Sequence, residues 1–307
     1  MFDGSHALAL SFPIHLVDHV VPAKHRIHVK RPRLPPSSPL LLWREDSDKV
    51  PTGSHRPTEL ASSAATPFLD SPVSIGVLGG APAAATLRFV NNLVQSFGDE
   101  SLPFVVCADP AIGRSLADRE RSPAALESLR RGRVFLERAG ARCIAMPCHA
   151  AHAWHLEIAE GCAVPFLDAG ECVAEELKAA KLRPAEIWSN VRVGVLALDA
   201  TSLVARFYQE KLEKRGFEVV FPDKETMEHM VIPAMEAFER KDMEGARNLV
   251  RISIHVLLVR AVSSIVLASD SMQGLLPEDD PLLRMCIDPM DALVRATLLW
   301  ALSVSKN

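Results

Sequence analysis

The chain has 307 residues, enough for two domains of roughly 100–200 residues each plus an extension. Hydrophobic residues make up 48% and charged residues 23%, the balance of a chain with a sizeable core, and no apolar run approaches the roughly 18 residues of a membrane span. A formal net charge of −4 gives no support to a nucleic-acid or acidic-membrane partner, and six irregularly placed cysteines do not make a disulfide framework.

Residues 1–72 differ in character from the rest of the chain. Six of the eleven histidines lie here, with many of the prolines, as in Arg31-Pro32-Arg33-Leu34-Pro35-Pro36. Up to Arg44 the acids are Asp3 and Asp18, against six Lys and Arg. A basic, acid-poor, Pro- and Ser-containing extension has the composition of an organelle transit peptide, which predicts a plastid (chloroplast) address. A secretory signal is disfavoured because Pro13, His15, Asp18 and His19 interrupt the apolar stretch.

From Val73 the chain alternates strand and helix patterns. Val73–Gly80 reads as a buried strand entering a glycine turn, Ala84–Phe97 as a helix and Pro103–Asp109 as a strand. Leu126–Ala139 is an amphipathic helix, Gly140–Pro147 a third strand, Ala163–Asp168 a fourth and Glu171–Lys181 a helix. After a connector, Leu182–Asn190, the pattern restarts: strand Val191–Ala197, helix Ser202–Gly216, strand Phe217–Pro222, helix Met243–Val262 and strand Ser264–Ser269. Asp288 at N-cap and Pro289 at N1 open a terminal helix. This alternation predicts an α/β fold with doubly wound parallel sheets.

The two halves are alike. Gly76-Val77-Leu78-Gly79 matches Gly194-Val195-Leu196-Ala197. Leu136 precedes Cys148 by 12 residues, as Leu257 precedes Ser269, and between them Ile144 aligns with Ile265 and Met146 with Leu267. The spacing predicts an internal duplication, giving a first unit over 73–186, joined by the terminal helix 287–307, and a second over 187–286. Two such units related by a pseudo-twofold bring Cys148 and Ser269 face to face, with the active site between them. Ligands of open α/β sheets bind at such carboxyl strand ends, and a helix starting after Cys148 favours a thiolate there.

From about Ser74 to Ser303 the chain resembles the aspartate/glutamate racemase family, which works without pyridoxal phosphate. The family's Pro-Cys-Asn-Thr-Ala-His is here Pro147-Cys148-His149-Ala150-Ala151-His152, and its Gly-Gly-x-Gly-Pro loop is partly matched by Gly79-Gly80-Ala81-Pro82, with Thr86 beyond. Gly216–Asp223 and Ile287-Asp288-Pro289 also fit. The second site departs: the family's Gly-Cys-Thr-Glu is Ala268-Ser269-Asp270-Ser271.

The resemblance implies a cofactor-independent isomerase acting at the α-carbon of a small acidic amino acid such as aspartate or glutamate. One thiolate removes the α-proton and a second acid returns one from the far face. Cys148 takes the first role. At the second position Ser269 is a poor acid at neutral pH, so Asp270 is the candidate to compensate, as base or by activating Ser269. Because adjacent strand residues point oppositely, this requires a loop at Asp270. Candidate substrate-binding residues are Gly80, Thr86, Arg114, His149, Ala150, His152 and Thr201. Arg114 matches a carboxylate bidentately, although a solvated surface arginine is an equal reading; Thr86 and Thr201 sit in equivalent loops, where either can also be a helix-start residue.

Other readings are weaker. Cys148, His152 and His155 share one helix face, but no further ligands complete a metal site. Gly76, Gly79 and Gly80 do not make the dinucleotide fingerprint, since Leu78 and Ala81 stand where it needs glycine. No metal and no cofactor are expected. Cys107 and Cys143 read as core, and Cys162, Cys172 and Cys286 carry no motif. A single-cysteine lyase or hydrolase of the same fold, or an amino-acid-binding relative without catalysis, stays open. The expected partner is the small-molecule substrate, and a homodimer is the default assembly.

Overall fold

The computed structural model describes residues 69–80, 82–97, 102–109, 123–182, 190–198, 202–272 and 274–305. Arg114, Thr201 and nearly all of the proposed transit peptide lie outside the described residues.

The first sheet is parallel, with order β2-β1-β3: β1 Ile75–Gly79, β2 Phe104–Ala108 and β3 Cys143–Ala145. Helix α1 (Ala83–Phe97) follows β1, and α2 (Pro123–Arg138) leads into β3. The second sheet, also parallel, has order β5-β4-β6-β7: β4 Arg192–Leu196, β5 Glu218–Val220, β6 Ser264–Leu267 and β7 Cys286–Ile287. Central strands β1 and β6 are buried along their whole length, which is why they read as unbroken apolar runs.

The two halves correspond in register. Gly76 pairs with Ile144, and Gly194 with Ile265. A Cβ on Gly76 would lie 3.2 Å from Leu136 Cβ and 3.3 Å from Ile144 Cγ1; one on Gly194 would lie 3.6 Å from Leu257 Cβ and 3.2 Å from Ile265 Cγ1. In both halves a glycine lets the helix leading to the third strand lie close against the sheet. Those helices are α2 and, in the second half, α9 (Met243–Val259).

Several expectations need correction. The predicted fourth strand, Ala163–Asp168, is reduced to one bridge between Ile144 and Phe166. Pro165 accepts from Ile144 N–H but has no N–H to donate, so the ladder stops there. The helix expected after Cys148 is two short pieces, α3 His149–His152 and α4 His155–Ala159. One turn of helix supplies little dipole, so the stabilisation of a thiolate by a long helix is lost. Between β5 and α9 the sequence reading placed no helix. The chain there forms α7 Lys224–Thr226, a π-turn Met227–Val231 and α8 Ile232–Glu239, and the wider π-turn with Pro233 at the start of α8 breaks the 3.6-residue period.

Two more helices complete the packing. Helix α5 (Ala169–Ala179) and helix α6 (Leu203–Lys214) bury Val173, Leu177, Phe207 and Tyr208 in one cluster with Val193 and Val195 of β4. The terminal helix α10 (Pro289–Ser305) returns to the first sheet, where Met290, Leu293 and Val294 pack with Ile75 and Val77. Its start is capped as predicted, Asp288 accepting from Met290 N–H at 2.9 Å. Among the described residues no helix is long and apolar enough to cross a membrane.

Candidate active site

Local chemistry fixes where Cys148 points. Strand β3 ends at Ala145, and Cys148 N–H donates to Met146 O at 2.9 Å, closing a three-residue turn centred on Pro147. The ring of proline holds the φ such a turn needs. Cys148 is extended (φ −152, ψ 107) and sits at the N-cap of α3, but its side chain makes no capping bond. The residue is buried. Gly80, just beyond β1, lies against it: a Cβ there would be 3.0 Å from the Cys148 Sγ. At the neighbouring Gly79 a Cβ would be 2.7 Å from Thr86 Oγ1, and that hydroxyl is buried without a protein partner.

The matching end of β6 is built differently. After Leu267 the chain leaves the sheet, and Asp270–Met272 form a 3-10 turn. The loop that Asp270 requires is therefore present. Ser269 Oγ accepts from Ser271 N–H at 3.3 Å, and Ser269 O accepts from Met272 N–H at 3.1 Å. Ser269 thus serves the turn through both its hydroxyl and its carbonyl.

The two turns meet through the residues immediately after Cys148 and Ser269. His149 Nε2 stands 3.9 Å from Asp270 Oδ1, and its Nδ1 is 3.0 Å from the hydroxyl of Tyr208 on α6. Tyr208 and His149 are buried. His149 Nε2 and Asp270 Oδ1 are both buried atoms with no hydrogen-bond partner among the described residues. Such atoms are uncommon in folded proteins, and Thr86 Oγ1, at the end of β1, is another.

Burial dominates the electrostatics. It pushes the Asp270 carboxyl up to about 7, with the nearby Asp288 carboxylate adding to the effect. Asp288 is itself raised to about 6 by burial and by Asp291. His149 is lowered to about 3 by burial and by His152, so it is neutral across the physiological range. His152 is also lowered, by burial and then by His155. The rings of His152 and His155 stack with centroids 5.8 Å apart, and His152 stacks on Phe207 at 5.6 Å. His152 thus packs against rings, with the Met146 backbone the polar group acting on its imidazole. Ala150 is half-buried beside it. Among the described residues no group of three or more His, Cys, Asp or Glu could hold a metal ion.

A cavity of about 770 Å³ lies beyond the ends of β6 and β7, lined by Arg88, Asn92, Met272, Asp288 and Arg295 among others. Cys148, Ser269 and Asp270 do not line it. Its link to the site is Asp288, whose charge acts on Asp270 and which faces Arg88 at 4.0 Å. Sequence reasoning missed Tyr208 and Asp288 as site neighbours. Tyr208 carried one usable signal: it is the only tyrosine in the chain.

Known proteins give the family. The sequence profile described as Asp/Glu/Hydantoin racemase matches residues 75–297. The broad specificity amino-acid racemase RacX of Bacillus subtilis (strain 168) is 26% identical over 159 residues, 48% of this chain; the match spans 64% of that relative's length. Among solved structures, the aspartate racemase of Picrophilus torridus superposes with a TM-score of 0.57 at 25% identity, covering 74% of this chain and 94% of that one. An aspartate racemase homologue from Pyrococcus horikoshii OT3 shares the fold, with a TM-score of 0.61 at 20% identity over 74% of this chain and 98% of its own. With its profile match running through both sheets, the chain belongs to the Asp/Glu/Hydantoin racemase family.

Proposed function

We propose that this chain is a cofactor-independent amino-acid racemase whose acid/base pair is Cys148 and Asp270, acting at the α-carbon of a small acidic amino acid such as aspartate or glutamate. The observation that carries this reading is the meeting of the two strand-end turns, His149 against Asp270 at 3.9 Å, beside a buried thiol. Similarity to the Picrophilus torridus aspartate racemase supports the substrate class.

The division of labour follows from the two turns. The Cys148 thiolate removes the α-proton on one face. The Asp270 carboxyl, raised to about 7, holds a proton near neutral pH and delivers it on the other; in the reverse direction the roles exchange. Ser269 takes no proton in this reading, since an aliphatic hydroxyl is far too weak an acid near neutral pH; its oxygen accepts from Ser271 N–H. Thr86 Oγ1 offers a hydrogen bond to the substrate, and Gly80 leaves room for the thiol. Arg114 and Thr201 stay in the proposal as groups for the substrate carboxylates. A homodimer and a plastid address belong to the same reading; light scattering of the purified chain and the location of a full-length fluorescent fusion in plant cells test them.

The test of the reaction is α-proton exchange. Full-length protein incubated in D₂O with each enantiomer of aspartate and of glutamate is expected to incorporate deuterium and form the opposite enantiomer. No exchange with any of the four would overturn the reading.

A further inference from the structure

Most buried hydroxyls place their proton on an acceptor. Tyr208 is fully buried, and the hydrogen-bond partner found for its hydroxyl among the described residues is His149 Nδ1, at 3.0 Å. The phenol keeps its proton, because burial first, and then the charges of Asp270, Asp288 and Asp168, push its ionisation well above the usual range. The hydroxyl therefore donates, and Nδ1 accepts. A neutral imidazole that accepts at Nδ1 carries its hydrogen at Nε2. Among the described residues that Nε2–H is buried without a partner, and 3.9 Å away lies a buried oxygen in the same condition, Asp270 Oδ1. A donor and an acceptor, each unsatisfied, face one another. An approach of about 1 Å, from 3.9 Å to the usual ~2.9 Å, would satisfy both. Catalytic hydrogen bonds commonly tighten in this way when substrate binds.

We infer that Tyr208 is a positioning residue that locks His149 as an Nε2–H donor to Asp270 Oδ1, so that Oδ2 alone carries the proton exchanged with substrate. The inference rests on the proposed role of Asp270. Its chemistry is simple: Oδ1 accepts from Nε2–H whether Asp270 is carboxylate or carboxylic acid, and the transferred proton enters and leaves at Oδ2. One imidazole tautomer serves both directions of a reversible reaction, and no proton has to cross the ring. Without the hydroxyl, His149 is free to carry its hydrogen at Nδ1, and Asp270 loses a donor that favours its ionised form. The charged and titratable groups acting on this array are His152 on His149, Asp288 on Asp270, and Asp288, Asp168 and Cys172 on Tyr208.

Tyr208→Phe, which keeps the ring and removes the hydroxyl, separates this from other accounts. In full-length protein labelled with ¹⁵N-histidine, the His149 resonances, assigned by their loss in His149→Gln, are expected to report Nδ1 unprotonated and Nε2 protonated at pH 7.5. In Tyr208→Phe they are expected to show a mixture of tautomers. Nδ1–H in wild type, or an unchanged spectrum in Tyr208→Phe, overturns the inference whether or not the protein turns over. With exchange-active protein, the Asp270 limb of the kcat–pH profile is expected to move to higher pH in Tyr208→Phe. That shift should vanish in the His149→Gln background, where the side-chain amide donates regardless of tautomer. A limb that stays put in Tyr208→Phe, or a shift that persists with Gln at 149, contradicts it. Failure of wild type to exchange any α-proton would defeat the racemase reading while leaving the tautomer measurement intact.

Discussion

The strand ends of the two halves share a scaffold and differ at the tip. Ile144 and Ile265 pair with Gly76 and Gly194 in the same register, each glycine lying under a helix leucine twelve residues before the tip. Beyond that point they diverge. At the end of β3, Pro147 turns the chain and leaves the Cys148 side chain out of the capping bonds. At the end of β6, the Ser269 hydroxyl oxygen accepts from the backbone of its own turn, and the next residue, Asp270, is a half-buried carboxyl. The repeat thus preserves strand register and helix packing, while the acid/base group proposed for the second half sits one residue further along the chain.

The contrast between the tips can be disrupted most strongly at the first. Cys148→Ala is expected to lower α-proton exchange by roughly 10²–10⁴-fold, the usual range for losing a positioned acid or base, as measured by deuterium incorporation. Next comes the cost of burying Asp270. Its carboxyl is raised from 3.8 to about 7, so the folded state holds a proton that the unfolded state releases above pH 4. The stability this proton contributes is full below about pH 4 and is lost as pH rises through 7. Asp270→Asn is therefore expected to be more stable than wild type at pH 8, by at most ~4 kcal/mol, and to show no such gain at pH 4 in urea unfolding.

Smaller effects test the shared scaffold. Gly76→Ala would bring its Cβ to 2.9 Å from Ala141 Cβ, whereas the nearest atoms to a Cβ at Gly194 are 3.2 Å away. Both substitutions overpack, and Gly76→Ala is expected to lie at the upper end of roughly 1–3 kcal/mol and Gly194→Ala at the lower, measured by urea midpoints. Ser269→Cys is expected to change the rate by less than about threefold and stability by less than ~1 kcal/mol, since it loses one turn hydrogen bond and supplies no needed acid. A large gain in racemisation from this variant would mean that the missing thiol limits the enzyme.

Much of the fold was legible in the chain. Alternating strands and helices, the spacing of Gly76, Leu136 and Ile144 against Gly194, Leu257 and Ile265, and the Pro147-Cys148 tip all depend on local pattern. What was not legible depends on contacts between distant residues or on breaks in period. Tyr208 reads as an ordinary core aromatic of an amphipathic helix, and its bond to His149 spans 59 residues. Asp288 reads as a helix cap, which it is, and its effect on Asp270 appears only when β6 and β7 lie side by side. Pro165 allowed a strand-like run but one rung of pairing.

Everything proposed for the reaction depends on Cys148 and Asp270 working on opposite faces of one substrate. Asp270→Asn incubated in D₂O with a single enantiomer tests it directly, by following deuterium at the α-carbon together with the enantiomeric ratio. With Cys148 intact, one enantiomer is expected to exchange its α-proton without inverting, while wild type exchanges and inverts. Racemisation by Asp270→Asn at the wild-type rate would contradict the account.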